Sequence, residues 1–325
     1  MRKLFLCMKN RQLKQSVFTF VSMTLLATSV LCAQSKGTKG PAKPTEIMLA
    51  AQDGFPISIT YYESSNAADS PVVVLLHGNA GNKRVWDHQF APILQQNGFA
   101  VVSVDFRKHG KSQLPMTESA TGKKSKTSRN SKLSALDYKA MIAYDMEAVW
   151  RFLFNEHQQK HLNMQKTAIV ASDMSVPLAL NYALFDWSKI PYDDAPVLAA
   201  KTPKGQTVRA LVLISPVSSV TGVSASRPTV RLKDPYLGLG FYVCSAAGDS
   251  LSRGTANKLF TQLSSAKNSK ERMYLKDDFP GKLRGTDMLG KRLGLELEIM
   301  KFLDKHLKKL PGDWSDRRPR YDRED

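Results

Sequence analysis

KTAIVASDMSVPLALNYALFDW, residues 166–187, changes pattern within three residues. Residues 166–172 are a short run of apolar and β-branched side chains, as in a buried strand, and 174–187 carry apolar residues over a helical length. The chain must therefore turn sharply from strand to helix at Asp173. The same alternation continues outward. Strand-like runs are PVVVLLHG (71–78), FAVVSVDFR (99–107), VRALVLISP (208–216), LGFYVCSAAGD (239–249) and RMYLK (272–276). Helix-like segments span 84–96, 137–156, 254–265 and 288–309. Near-continuous apolar strands alternating with helices predict an α/β fold, a mostly parallel, doubly wound sheet with helices on both faces. FPISITYYES (55–64) alternates instead, so 46–64 is expected to open the sheet as an antiparallel hairpin.

Composition narrows the class. The chain has 325 residues, 42% hydrophobic and 23% charged, which excludes a disordered, collagen-like or multi-span membrane protein. The net charge of +18 raises the question of an anionic partner, and its location answers it. Residues 1–33 carry five cations and no acid and end in VFTFVSMTLLATSVLCA, the pattern of a signal peptide cleaved near Cys32 or Ala33. Export to the periplasm or medium is expected, with membrane anchoring if the segment is not cleaved. Residues 34–45 read as a flexible linker with three lysines. Residues 111–132 read as a basic low-complexity insertion with six cations and one acid. Most of the excess charge thus lies on the leader, the linker and the 111–132 insertion rather than on a folded face, which argues against nucleic acid and leaves the 111–132 loop as a candidate tether to an anionic surface. Residues 311–325 read as a solvated charged tail. Cys7 and Cys32 fall in the leader, so Cys244 alone would remain and no internal disulfide is expected.

Strand ends are where an α/β sheet gathers its reactive groups. The first long strand is followed by HGNAGN (77–82), and the next ends in DFRKHGKS, with Asp105, Arg107, Gly110 and Ser112 in an Asp-x-Arg-x-x-Gly-x-Ser turn. On these motifs and the strand order, the chain resembles the alpha/beta-hydrolase superfamily, in particular its serine aminopeptidase and lysophospholipase-like branch, over about residues 46–310. The resemblance implies a Gly-x-Ser-x-Gly nucleophile elbow, an acid after a late strand and a histidine before the last helix. Laid on this sequence, the elbow is Ala171, Ser172, Asp173, Met174 and Ser175, so the nucleophile position holds Asp173. The acid position holds Asp249, the histidine position Arg284, and the backbone amides of Asn79 and Met174 would bind an oxyanion.

Arginine cannot accept a proton from a nucleophile or a water at physiological pH. It can pair with carboxylates, so Asp173, Asp249 and Arg284 are expected to form an ion-pair cluster in place of a triad. The resulting expectation is a hydrolase-like protein without serine-hydrolase activity, a binding or scaffold module for a small-molecule or polymer ligand. The alternative is an active hydrolase of esters, amides or halides using Asp173 as nucleophile or base, as the carboxylate-nucleophile branches of the superfamily do, with His109 recruited beside it.

Other candidates carry less. His157 and His161, four apart, could share a metal, but their surroundings read as a solvated helix end. His88 reads as surface, Ser218 and Ser219 have no base nearby, and Thr286 or Asp287 would cap the last helix. Nothing implies a cofactor or a metal. The connection 217–238 is too short for a substantial lid, so an open, shallow pocket is expected.

Overall fold

Every residue of Pro71–Leu76 is buried. Successive strand residues point to opposite faces, so such a strand must be covered on both sides. The computed structural model, which describes residues 41–114, 132–267 and 269–323, shows how. The leader 1–33, most of the linker and most of the basic insertion, with Cys7 and Cys32, lie outside the described residues.

Eight strands form one sheet: β1 (Thr45–Ala50), β2 (Pro56–Tyr62), β3 (Pro71–Leu76), β4 (Ala100–Val104), β5 (Asn163–Ser172), β6 (Val208–Ile214), β9 (Gly240–Ala246) and β10 (Met273–Phe279). Their order is β1-β2-β4-β3-β5-β6-β9-β10. β1 and β2 form the expected antiparallel hairpin, β2 joins β4 antiparallel, and the rest is parallel. Side-chain alternation divides the interior into two cores. Val72, Val74, Leu76, Ile169, Leu211 and Val243 face one, and Val73, Leu75, Ala168, Val170, Val212 and Cys244 face the other.

Helices cover both faces. α4 (Met146–Gln158), α5 (Ser175–Ser188) and α7 (Arg253–Ser264) close the first core, and α1 (Arg84–Asp87), α2 (Ala91–Gln96) and α8 (Leu295–Leu303) close the second. The predicted helix 84–96 is broken between His88 and Phe90. The last helix starts at Leu295, seven residues later than the periodicity predicts, because Gly290, Arg292 and Gly294 take left-handed conformations that a helix cannot contain. Thr286 and Asp287 therefore lie inside the 3₁₀ turn Gly285–Met288 and cap no long helix. α3 (Ala135–Ala140) starts on a reciprocal cap between Ser134 and Asp137. After β6 come only the two-residue strands β7 (Ser219–Val220) and β8 (Val223–Ser224) and the short helix α6 (Ser226–Leu232), so the lid is minimal, as expected.

The charged end does not project into solvent. Trp314 packs against His157 with ring centroids 5.1 Å apart, its Nε1 donates to the His157 carbonyl at 2.6 Å, and buried Arg317 donates to the carbonyls of Pro203 and Gly205. Tryptophan and the arginine stem supply apolar contact that a simple count of charges hides.

The turn after β4 is tied down by ions. Between α3 and α4 the helix widens over Met141–Asp145, and this wide turn delivers the fully buried Asp145 to Arg107. Arg107 Nη2 reaches Asp145 Oδ1 at 2.6 Å, and Nη1 reaches Asp53, in the β1–β2 turn, at 2.7 Å. Removing one partner of a buried pair leaves the other charge uncompensated. Arg107→Met is thus expected to cost about 3–5 kcal/mol in urea unfolding, and adding Asp145→Asn should recover part of that loss.

Candidate active site

β5 ends at Ser172, α5 begins at Ser175, and between them Asp173 adopts a left-handed backbone with φ of 52°. That conformation is uncommon outside glycine and persists only where neighbours enforce it. The Asp173 N–H donates to the Ile214 carbonyl at 2.9 Å. Ser175 Oγ accepts from the Ser172 N–H at 2.8 Å and lies 2.8 Å from the Ser172 carbonyl and 3.2 Å from that of Leu76. Serine thus stands where the family pattern has glycine, and its hydroxyl laces the turn. The flanking loops press closely. A Cβ on Gly78 would sit 3.2 Å from Asp173 Cβ, and one on Gly285, at φ +56°, only 2.6 Å from Ser172 Oγ.

The Asp173 carboxylate has two partners. Arg284 Nη2 donates to Oδ1 at 2.6 Å, and the Asn79 N–H points at Oδ2 over a long 3.4 Å. The side chains are 18% and 30% exposed, so the pair sits in a partly dried cleft. Asn79, expected to face an oxyanion, therefore faces a carboxylate of the protein itself. Met174 is buried, and its amide makes no hydrogen bond to that carboxylate. Arg284 is held by its neighbour, since the Gly285 N–H donates to buried Ser215 Oγ at 2.8 Å.

Asp249 departs from expectation. Instead of sharing Arg284, its carboxylate accepts from the Ser252 hydroxyl and, at 3.2 Å each, from the amides of Leu251 and Ser252. The amides just ahead of α7 have no acceptor of their own, and the adjacent carboxylate satisfies them locally. The expected three-residue ion cluster is thus a two-residue pair. A cleft of about 650 Å³ opens beside Asp249, lined by Gly248, Arg253, Asn257 and Asp277 among others.

None of the six histidines hydrogen-bonds to Asp173, Asp249 or Arg284. His77 is fully buried, with Nδ1 facing the Gly78 carbonyl at 2.9 Å and Nε2 accepting from the Phe106 N–H at 3.3 Å, which assigns the neutral Nδ1–H tautomer. Burial pushes its pKa down to about 3, with His109 adding to the shift. His109 packs against His77 with ring centroids 4.8 Å apart and turns Nδ1 to the Arg107 carbonyl, so it serves the turn. His157 is not at a solvated helix end. It is buried between the carbonyls of Leu162 and Ser315, while His161 pairs with Glu156. His306 contacts Tyr274, and His88, Ser218 and Ser219 are exposed. Among the described residues no three metal-ligating side chains are assembled.

Two site residues escaped the sequence reading. Ser215, at the end of β6, has a left-handed φ of 46° and holds the Arg284 loop. Tyr138 of α3 has its pKa raised by burial first, then by the charges of Asp137 and Asp173. A serine following a buried strand was the available signal for the first, and nothing local marks the second.

Comparison with known proteins places this geometry. The family described as the alpha/beta hydrolase fold matches residues 71–276. Among solved structures, the Pyrococcus furiosus esterase Pf2001 aligns with a TM-score of 0.54 at 12% identity, over 82% of this chain and 92% of that one. A cold-adapted esterase from an Arctic intertidal metagenomic library aligns at 0.52 and 17%, over 82% and 97%. DcsB, in complex with its substrate analogue, aligns at 0.54 and 12%, over 81% and 100%. At these identities the likeness is one of fold. None of the curated proteins matches the sequence.

Two outcomes test the geometry. Gly285→Ala forces a Cβ against Ser172 Oγ in a left-handed backbone and is expected to cost about 1–3 kcal/mol in thermal unfolding, part of it recovered by adding Ser172→Ala. The second concerns acid. Burial lowers the pKa of His77, His109, His157 and His306, to about 3 for His77 and about 4 for His306. The unfolded chain binds these protons near pH ~6.5 and the folded chain only lower, so stability is full above that pH and falls on acidification towards 4. Fully buried His77 contributes a slope of up to about 1.4 kcal/mol per pH unit. Urea midpoints at pH 7, 6 and 5 should decline in that order, and less steeply in His157→Gln.

Proposed function

The chain belongs to the alpha/beta-hydrolase-fold family, and from that membership we propose that it is a non-hydrolytic member of it, a binding or scaffold module. The observation that carries this reading is the Arg284–Asp173 pair at 2.6 Å on the elbow, with the Asn79 amide turned to the same carboxylate. A nucleophile of this fold needs a base to activate it or to activate the water that releases its ester. Here the loop that carries the family's base carries a permanent cation, and Asp249 is engaged in its own turn. The Asp-x-Arg-x-x-Gly-x-Ser turn supports kinship with the serine aminopeptidase branch. The leader-like residues 1–33 support export, with anchoring if they are retained, and the basic stretch 111–132 supports contact with an anionic surface.

Loss of triad members in serine hydrolases leaves on the order of 10³–10⁴-fold catalysis over water, from oxyanion and binding contacts alone. Here the oxyanion amide faces an anion, so even that residue of activity should be reduced. The test is labelling of the purified protein with a fluorophosphonate probe, together with turnover of ester, amide, epoxide and haloalkane panels by wild type and Asp173→Ala. No label and no turnover above background are expected from either protein. Labelling, or turnover that disappears in Asp173→Ala, would overturn the reading, the latter in favour of a carboxylate nucleophile.

A further inference from the structure

Farther along α5 than the elbow, a groove of about 730 Å³ opens between α5, the α3–α4 region and the β7–β8 ribbon. That volume falls within the ~300–1,000 Å³ of small-molecule pockets. Its lining is largely apolar, with Leu184 and Phe185 of α5, Ile142 of the wide turn and Val223 of β8. Phe185 is 40% exposed although most of α5 is buried. Asn181 fixes the wall, because its Nδ2 donates to the Pro177 carbonyl at 2.7 Å and the Ser224 carbonyl at 2.8 Å, pinning the ribbon to α5. Eight residues, or about 12 Å of helical rise, separate Asn181 from Asp173, so the groove is distinct from the elbow.

The charge of the groove is one-sided. Lys139, Arg227 and Arg231 line it and no acid does. None of the three makes an ion pair or side-chain hydrogen bond among the described residues, whereas Lys189, over the Phe185 ring, is matched by Glu147. Arg227 and Arg231 stand four apart on α6, a spacing at which like charges repel, and the one acid just beyond them, Asp234, is engaged with the Tyr236 amide. Unmatched cations over apolar walls are complementary to a molecule that has an anionic head and a hydrocarbon chain.

We propose that this groove binds a single-chain anionic amphiphile, a long-chain carboxylate in its simplest form. The chain lies along Leu184, Phe185, Ile142 and Val223, and the head meets Lys139, Arg227 and Arg231. This site is independent of whether Asp173 retains any chemistry.

The experiment is calorimetric titration of the full chain with laurate below its micelle concentration, beside dodecanol, acetate and phosphatidylglycerol vesicles. Laurate is expected to bind one to one, with dodecanol and acetate each at least ~tenfold weaker. The exposed pair Arg227→Gln/Arg231→Gln should weaken laurate by about tenfold or more with an unchanged thermal midpoint, and Phe185→Ser should weaken it by a similar factor while the chain remains folded. Lys139→Glu provides a second charge variant on another element. Equal binding of laurate and dodecanol, indifference to these variants, or loss of laurate in Arg284→Gln, which would move the ligand to the elbow cleft, would each overturn the proposal. So would binding to vesicles without binding of free laurate, which would make the cations a membrane-docking patch.

Discussion

The left-handed backbone at Asp173 is the constraint around which the carboxyl edge of the sheet is arranged. A strand that must become a helix within three residues crowds its turn residue at the tip, and everything beside it has to be small. Gly78 and Gly285 approach from the loops after β3 and β10, and Ser175 closes the turn with a hydroxyl in place of backbone space. Ser215, itself left-handed, positions Gly285 and with it Arg284. The contacts that enforce this turn are made by backbone groups and small side chains, whatever residue the turn presents. The strain therefore belongs to the architecture and does not by itself imply catalysis.

The turn after β4 is likewise held by structural contacts. Asp105 accepts from the amides of Lys83 at 2.7 Å and Lys111 at 2.9 Å, and Gly110 packs so close to that carboxylate that a Cβ would overlap it. Ser112 Oγ accepts from the Ser58 N–H and donates to the Asp105 carbonyl, joining the second strand to the turn. Arg107 ties the same turn to Asp145 and Asp53. Asp105, Arg107 and Ser112 satisfy buried backbone groups or charges, which are costly to leave unpaired, and Gly110 leaves the carboxylate its space. These contacts hold the turn after β4 whatever chemistry the elbow performs.

The sheet was legible in the sequence because strands buried on both faces must be nearly continuously apolar: β3 is wholly so, and β4, β6 and β9 are interrupted only by Ser103, Arg209 and Ser245. That Asp173 stands at the elbow and Arg284 in the loop after β10 was legible because the strand ends fix those positions. What sequence could not show depends on contacts distant along the chain or on single backbone conformations. His157 looked solvated because Trp314 and Ser315, which cover it, lie more than 150 residues away. The final helix looked longer because a left-handed Arg292 leaves no compositional trace. Asp249 looked free to pair with Arg284, since only the fold reveals that a hydroxyl and two amides reach its carboxylate first.

The Arg284–Asp173 pair is best understood as a mutual requirement. A carboxylate alone at the elbow would be partly desolvated without a counter-ion, and a guanidinium alone in the loop after β10 would face the same deficit. Either change by itself therefore introduces a poorly compensated charge into a crowded turn, whereas the two together restore neutrality at the cost of the proton-accepting group. Arg284 also leaves its buried Nε without a partner, as Ser172 does its hydroxyl, so the cleft is not optimised for stability.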